Sequence, residues 1–130
     1  MKFIKLWLPV FVWCGVIFWL SGIPNLSTNL GFWDVILRKI AHITEYFILT
    51  LLLYHAFKNT FALKLYFLIF WPAALSLIYA ISDEIHQLFV PTRNGSLEDV
   101  LIDSVGICLF LVLLKFGVAE KTAKRLNFRL

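Results

Sequence analysis

Four stretches of this chain, at about 4–20, 40–57, 63–81 and 100–118, are apolar enough to lie in hydrocarbon. Each approaches the roughly 20 residues of helix that cross a bilayer core of about 30 Å. Inside lipid a backbone must satisfy its own hydrogen bonds, so such stretches can only be helices here. Composition agrees: 61% of the 130 residues are hydrophobic and 15% charged, against about 45–50% and 25% in globular domains. A domain this small buries only about two-thirds of its chain surface, so the surplus cannot hide in a core. The expectation is an all-α, four-span transmembrane helix bundle, one domain over 1–130. A disordered chain, a disulfide scaffold and a nucleic-acid-binding domain are excluded. Pro72 falls inside the third span, where it should bend the helix without ending it.

The N-terminal segment pairs Lys2 and Lys5 with an apolar run, like a secretory signal. No small-residue cleavage site follows, and Trp13 occupies the position before Cys14 where a lipobox needs a small residue, so a retained anchor is expected. Cys14 and Cys108 sit in apolar runs without ligand spacing and read as buried free thiols.

Charge asymmetry sets the expected sidedness. With the N-terminus inside, the cytoplasmic segments hold Lys2, Lys5, Lys58, Lys64, Lys115, Lys121, Lys124, Arg125 and Arg129, and the outer ones only Arg38, Lys39 and Arg93. Seven of the eight acids lie toward the outside, giving +8 within and −4 without. Both termini are therefore expected in the cytoplasm, with the basic tail from Lys115 onward contacting anionic lipid.

The polar residues gather at the same outer ends. Arg38, His42 and Glu45 step by four and three along one face of a helix; so, in the third span, do Ser76, Tyr79, Asp83 and His86, with Gln87 beside them. Ser96, Asp99, Asp103 and Gly106 repeat the pattern in the fourth. Ionisable groups at membrane depth turn toward a bundle interior or a watery cavity and pair there. The stripes therefore predict one shared pocket, open outward and floored by apolar side chains. Ser96 with Asp99 has the form of a capping box, which starts the fourth helix near Leu97. Pro91 and Asn94-Gly95 predict a turn that sets Arg93 over the pocket mouth. Asp34 is expected to cap the second helix, and 26–33 to lie along the interface.

Plainer roles compete at each position. Glu45 can merely neutralise Arg38 or His42, and Asp83 and Glu84 can be solvated helix-end acids, although His86 and Gln87 beside them argue otherwise. His55 reads as an interfacial histidine and Tyr46 as packing or interhelical hydrogen bonding. Arg93 stands open between a surface charge and a pocket contact.

Two segments together, Arg38-Lys39-x-x-His42-x-x-Glu45-Tyr46 and Ser82-Asp83-Glu84-Ile85-His86-Gln87-Leu88-Phe89-Val90-Pro91-x-Arg93-x-Gly95-Ser96-x-x-Asp99-x-x-x-Asp103-x-x-Gly106, closely resemble the VanZ-like family of small bacterial membrane proteins. Ser21-Gly22-Ile23-Pro24 is similar to that family's first outer loop, and the resemblance covers about 10–115. It implies a bacterial plasma-membrane protein and, in some members, altered susceptibility to the glycopeptide teicoplanin; it names no reaction and no cofactor. It also implies that Asn can stand where Asp103 does.

Two classes of function fit these residues. An enzyme acting on a lipid-linked phosphate would use Arg38, Lys39 and Arg93 to neutralise the phosphate. His42 or His86 would be the reactive imidazole, oriented by Glu45, Asp83 or Glu84. A binding protein would clamp an anionic lipid or cell-wall precursor with the same arginines. In both, Gln87, Ser96, Asp99 and Asp103 complete the ligand contacts. Paired His42/Glu45 and Asp83/His86, with Asp99 and Asp103, also offer metal ligands. The neighbouring arginines repel a metal unless a phosphate bridges them, and none is assigned. A proton-coupled carrier lacks the repeated, interrupted helices that such proteins use.

Overall fold

The computed structural model describes residues 1–24 and 31–129, with the backbone alone at 118–120 and 122–129. Every regular element among them is a helix: α1 (Lys2–Ser21), α2 (Phe32–Thr60), α3 (Leu65–Gln87) and α4 (Leu97–Arg129). Three are long and apolar enough to cross a membrane, namely α1, α3 and the Leu97–Gly117 part of α4. This is a helical membrane protein. α2 has ample length, but Asp34, Arg38, Lys39, His42 and Glu45 lower the apolarity of its first half.

The helices overrun the expected spans. α2 starts at Phe32, directly after Gly31 with φ 60; nothing between there and position 40 breaks a helix. Asp34 therefore lies in the first turn rather than at the cap, where an acid still favours the positive end of the helix dipole. Residues 26–30 of the expected interfacial stretch lie outside the described residues. α3 passes through Pro72 without a break and carries Asp83 to Gln87 as helix. α4 begins at Leu97, as its capping pattern predicts, and its helix continues to Arg129.

Burial is inverted relative to a water-soluble protein. Phe11, Trp19, Phe70, Ile78 and Leu101 are exposed, while Ser21, His42, Thr50, Ser76, Asp83, Glu84, Gln87 and Asp103 are buried. Lipid is as apolar as leucine, so polar groups drive inward and apolar ones coat the outside. Cys108 follows this rule: it is exposed, and Cys14 half-buried, so neither is the fully buried thiol that its apolar surroundings suggest.

Contacts between ends fix an up-down-up-down order. Trp7, early in α1, donates to Thr60 at the end of α2 (3.0 Å), and Trp13 donates to the Glu45 carbonyl (2.9 Å). Mid-helix, the Thr50 and Ser76 hydroxyls lie 2.9 Å apart. α2 packs on all three other helices, most extensively on α4, whereas among the described residues α1 and α4 are not in close contact. The buried face of α2 runs His42, Tyr46, Leu49, Thr50, Leu53, Ala56, a helical stripe. Gly106 permits its tight seam with α4: a Cβ there would lie 2.2 Å from the Ile43 carbonyl oxygen. Small residues serve this purpose in membrane bundles, where close backbone approach supplies much of the packing energy.

Candidate functional site

Because α2 and α4 run parallel and α3 opposes them, the start of α2, the end of α3 and the start of α4 meet at one end of the bundle. There His42 Nδ1 and Asp103 Oδ1 are 2.8 Å apart. Glu84 joins them from α3, and one ligating atom from each of His42, Glu84 and Asp103 lies within 4.8 Å of the other two. The three are 6%, 5% and 0% exposed, so water reaches none of them freely. Asp83 and Gln87 are buried alongside, with Gln87 Nε2 donating to Asp83 Oδ2 at 3.4 Å.

The turn before α4 closes over this group. The Ser96 backbone N–H donates to Glu84 Oε2 (3.0 Å), and the Ser96 hydroxyl accepts from the Asp99 N–H (3.1 Å). One half of the expected capping box is thus formed, while the other donor is taken by Glu84 from another helix. Gly95 makes the closure possible, since a Cβ there would fall 2.1 Å from the Glu84 carbonyl oxygen. Thr92, in the same turn, has φ 67, a conformation uncommon for a β-branched residue. Lys39 reaches across from α2 to Glu98 at 3.4 Å, an exposed pair that ties the rims of α2 and α4.

Other expected site residues go elsewhere. His86 turns to α1: it stacks on Phe18 with ring centroids 4.3 Å apart, and its Nδ1 lies 3.4 Å from the Ser21 hydroxyl. Arg93 is half-buried and donates to the carbonyls of Ile23 (3.2 Å) and Leu20 (2.9 Å) at the end of α1. Its place is therefore on the last carbonyls of α1, which attract a cation, and not over an open mouth. Arg38 is exposed. Glu45 is half-buried, within electrostatic reach of His42, Asp83, Asp103 and Arg93.

Four buried polar atoms have no hydrogen-bond partner among the described residues: Tyr46 Oη, Asp83 Oδ1, Glu84 Oε1 and Asp103 Oδ2. Buried polar groups are nearly always paired, and leaving one unpaired costs about 1–3 kcal/mol or more when charged. Two of the four belong to the triad of His42, Glu84 and Asp103, and the other two to residues beside it in sequence or on the same helix face. This end of the bundle is therefore rich in acceptors and poor in donors, a composition suited to a cation or to a donor-bearing ligand. The His42–Asp103 pair is also the arrangement that orients an imidazole for proton transfer.

Comparison with known proteins decides the family. The VanZ/LLP1 family model matches residues 6–118. The chain belongs to the VanZ-like family. A relative described as "Uncharacterized membrane protein YwnJ", from Bacillus subtilis (strain 168), is 40% identical over 94 residues, which are 67% of this chain and 60% of that protein. The chain thus spans less than two-thirds of that relative's length. No solved structure matches.

In this VanZ-like protein, α3 and α4 also enclose an apolar groove of about 500 Å³, lined by Phe70, Ala73, Leu77, Ile107, Cys108 and Leu111 among others. Ser104, the residue after Asp103, and Ile107, one helical turn beyond Asp103, both line it. The polar stripes of the sequence pass over Trp13 and Trp7, which act as interhelical donors. They likewise pass over Ser21, buried against His86. Small polar residues at helix ends carry too little periodic signal to be assigned a face.

Proposed function

We propose that this VanZ-like protein is a four-span protein of a bacterial plasma membrane, a single domain with both termini in the cytoplasm. In this reading it binds or processes an anionic lipid or cell-envelope precursor at the outer end of the bundle. The observation that carries the reading is the juxtaposition of a buried polar cluster with an apolar groove on α3 and α4. Hydroxyl or amine donors of a head group would meet the unpaired acceptors of the cluster while its phosphate stays at the rim, and a chain would lie in the groove, as an amphiphile requires. Counting α2 as the fourth span rests on its central packing: it shares its length with α1, α3 and α4. The outward orientation rests on the excess of lysine and arginine at the opposite end.

Within this reading His42, held by Asp103, is the acid or base, with Asp83 and Glu84 as its buried acidic neighbours and Glu45 within electrostatic reach, while His86 supports the site from the α1 side. Arg38, Ser96 and Asp99 form the rim toward the ligand above the buried Gln87, and Lys39 and Arg93 brace that rim through Glu98 and the end of α1. An effect on teicoplanin susceptibility follows if the ligand is a cell-wall precursor. The second reading is binding without turnover, favoured by the placement of His86 on α1, which leaves one imidazole rather than two at the cluster. Purified protein incubated with polyprenyl phosphates, polyprenyl pyrophosphates and phospholipids separates the two. Release of phosphate or a head group, lost in His42→Ala, supports processing; retention of one lipid without turnover, weakened in Arg38→Ala, supports binding. Neither turnover nor selective retention would refute both.

A further inference from the structure

We infer that His42, Glu84 and Asp103 form a binding site for a divalent transition-metal ion, of the Zn²⁺ or Mn²⁺ class. The inference rests on the geometry of three helices and stands whether or not the ligand is a lipid phosphate. Three carboxyl groups, Asp83, Glu84 and Asp103, and one imidazole are each more than nine-tenths buried at one end of the bundle. One imidazole offsets at most one carboxylate, and an unpaired carboxylate away from water is costly. Three carboxylate oxygens, one on each acid, find no partner among the described residues. A doubly charged ion supplies the missing charge and occupies unpaired oxygens at once.

The donor set and spacing fit. Oxygen and nitrogen ligands sit about 2.0–2.2 Å from such an ion, so two of them can be at most about 4.4 Å apart. The triad's atoms lie within 4.8 Å of one another, and small side-chain rotations bring them into range. Helical bundles place metals between histidines and carboxylates from facing helices in this way. One imidazole with carboxylates suits zinc, iron or manganese, whereas magnesium and calcium prefer oxygen alone. Three protein ligands leave a position open for an outside oxygen. Of the arginines that argue against a metal from sequence, Arg93 is engaged on carbonyls at the end of α1 and Arg38 is exposed to solvent or lipid head groups. The Ser96 N–H on Glu84 Oε2 fixes that carboxylate from behind, the kind of outer support that ligand residues of metal sites receive.

The test uses the full chain in detergent, stripped with chelator, reloaded with Zn²⁺ or Mn²⁺ and separated from free ion by gel filtration. Elemental analysis should find about one ion per chain in the unmodified protein and in His55→Ala, whose histidine lies at the other end. Glu84→Gln and His42→Asn should each weaken binding by more than about tenfold. Far-ultraviolet circular dichroism and elution volume confirm that the variants are folded. Should a variant not fold, Co²⁺ loading of the unmodified chain decides instead: a visible absorption band of a nitrogen- and oxygen-ligated ion is expected, displaced by Zn²⁺. Failure to retain ion, or equal retention in Glu84→Gln and His42→Asn, overturns the inference. Retention without any effect of added lipid phosphate sinks the lipid reading and leaves the metal site standing.

Discussion

Gly106→Ala should unseat the cluster without touching it. The added methyl would lie 2.2 Å from the Ile43 carbonyl oxygen and 3.0 Å from the Phe47 nitrogen, where ordinary contact begins at 3.4 Å. Both are backbone atoms, so no side chain can swing away, and α4 must retreat from α2 by roughly 1 Å. Asp103 lies three residues before Gly106 on the same face. Its 2.8 Å contact with His42 would lengthen toward about 3.8 Å, beyond hydrogen-bonding range. Overpacking costs about 1–3 kcal/mol and a lost charge-assisted hydrogen bond about 1.5–3 kcal/mol. The helix preference for alanine returns about 1 kcal/mol, leaving a net loss of roughly 1.5–5 kcal/mol. Reversible unfolding in mixed micelles, followed by tryptophan fluorescence, measures it. Gly15→Ala is the internal control, because a Cβ there meets nothing within 4 Å; it should be neutral or stabilising by up to about 1 kcal/mol. Equal stability of the two variants would refute the close-seam argument.

Other positions give independent checks. Thr50→Val should cost about 0.6–1.7 kcal/mol in the same unfolding assay, the range of interhelical hydrogen bonds in membranes; no change would mean that its contact with Ser76 is incidental. Arg93→Ala should loosen the turn at 88–96 from α1 and speed hydrogen exchange there by tenfold or more, for about 1.5–3 kcal/mol of charge-assisted bonding. Lysine at the same position should rescue only part, because it lacks the forked geometry that reaches two carbonyls. Lys39→Ala should change stability by less than about 1 kcal/mol, since its ion pair is exposed. Reporters fused after Lys58 and after Gly95 should report opposite sides of the membrane, and agreement between them would overturn the assigned sidedness.

Much of the cluster is legible in the sequence because a helical period assigns residues to a face. The steps from His42 to Glu45 and from Ser96 through Asp103 to Gly106 place those residues together, and the serine cap marks Leu97 as the start of α4. A period does not say which neighbour a face meets. Asp83 and Glu84 are adjacent, hence about 100° apart on α3; only the bundle order shows that Glu84 takes the Ser96 N–H while Asp83 pairs with Gln87. Arg93 illustrates the same limit, for a loop cation has no period and its carbonyl partners on α1 are some seventy residues distant. The early start of α2 is hidden for another reason. Asp34, Arg38 and Lys39 interrupt apolarity, which ends a span in a hydropathy reading, but they do not interrupt helix propensity.

The central claim is that polar groups from three helices meet to hold a phosphate-bearing amphiphile. Native mass spectrometry of the gently extracted chain, with identification of whatever lipid stays bound, addresses it most directly. The account predicts one anionic species enriched far above its share of the membrane, and its loss in a His42→Leu, Asp103→Leu double variant that remains folded. A lipid profile matching the bulk membrane, the same in both proteins, would contradict it.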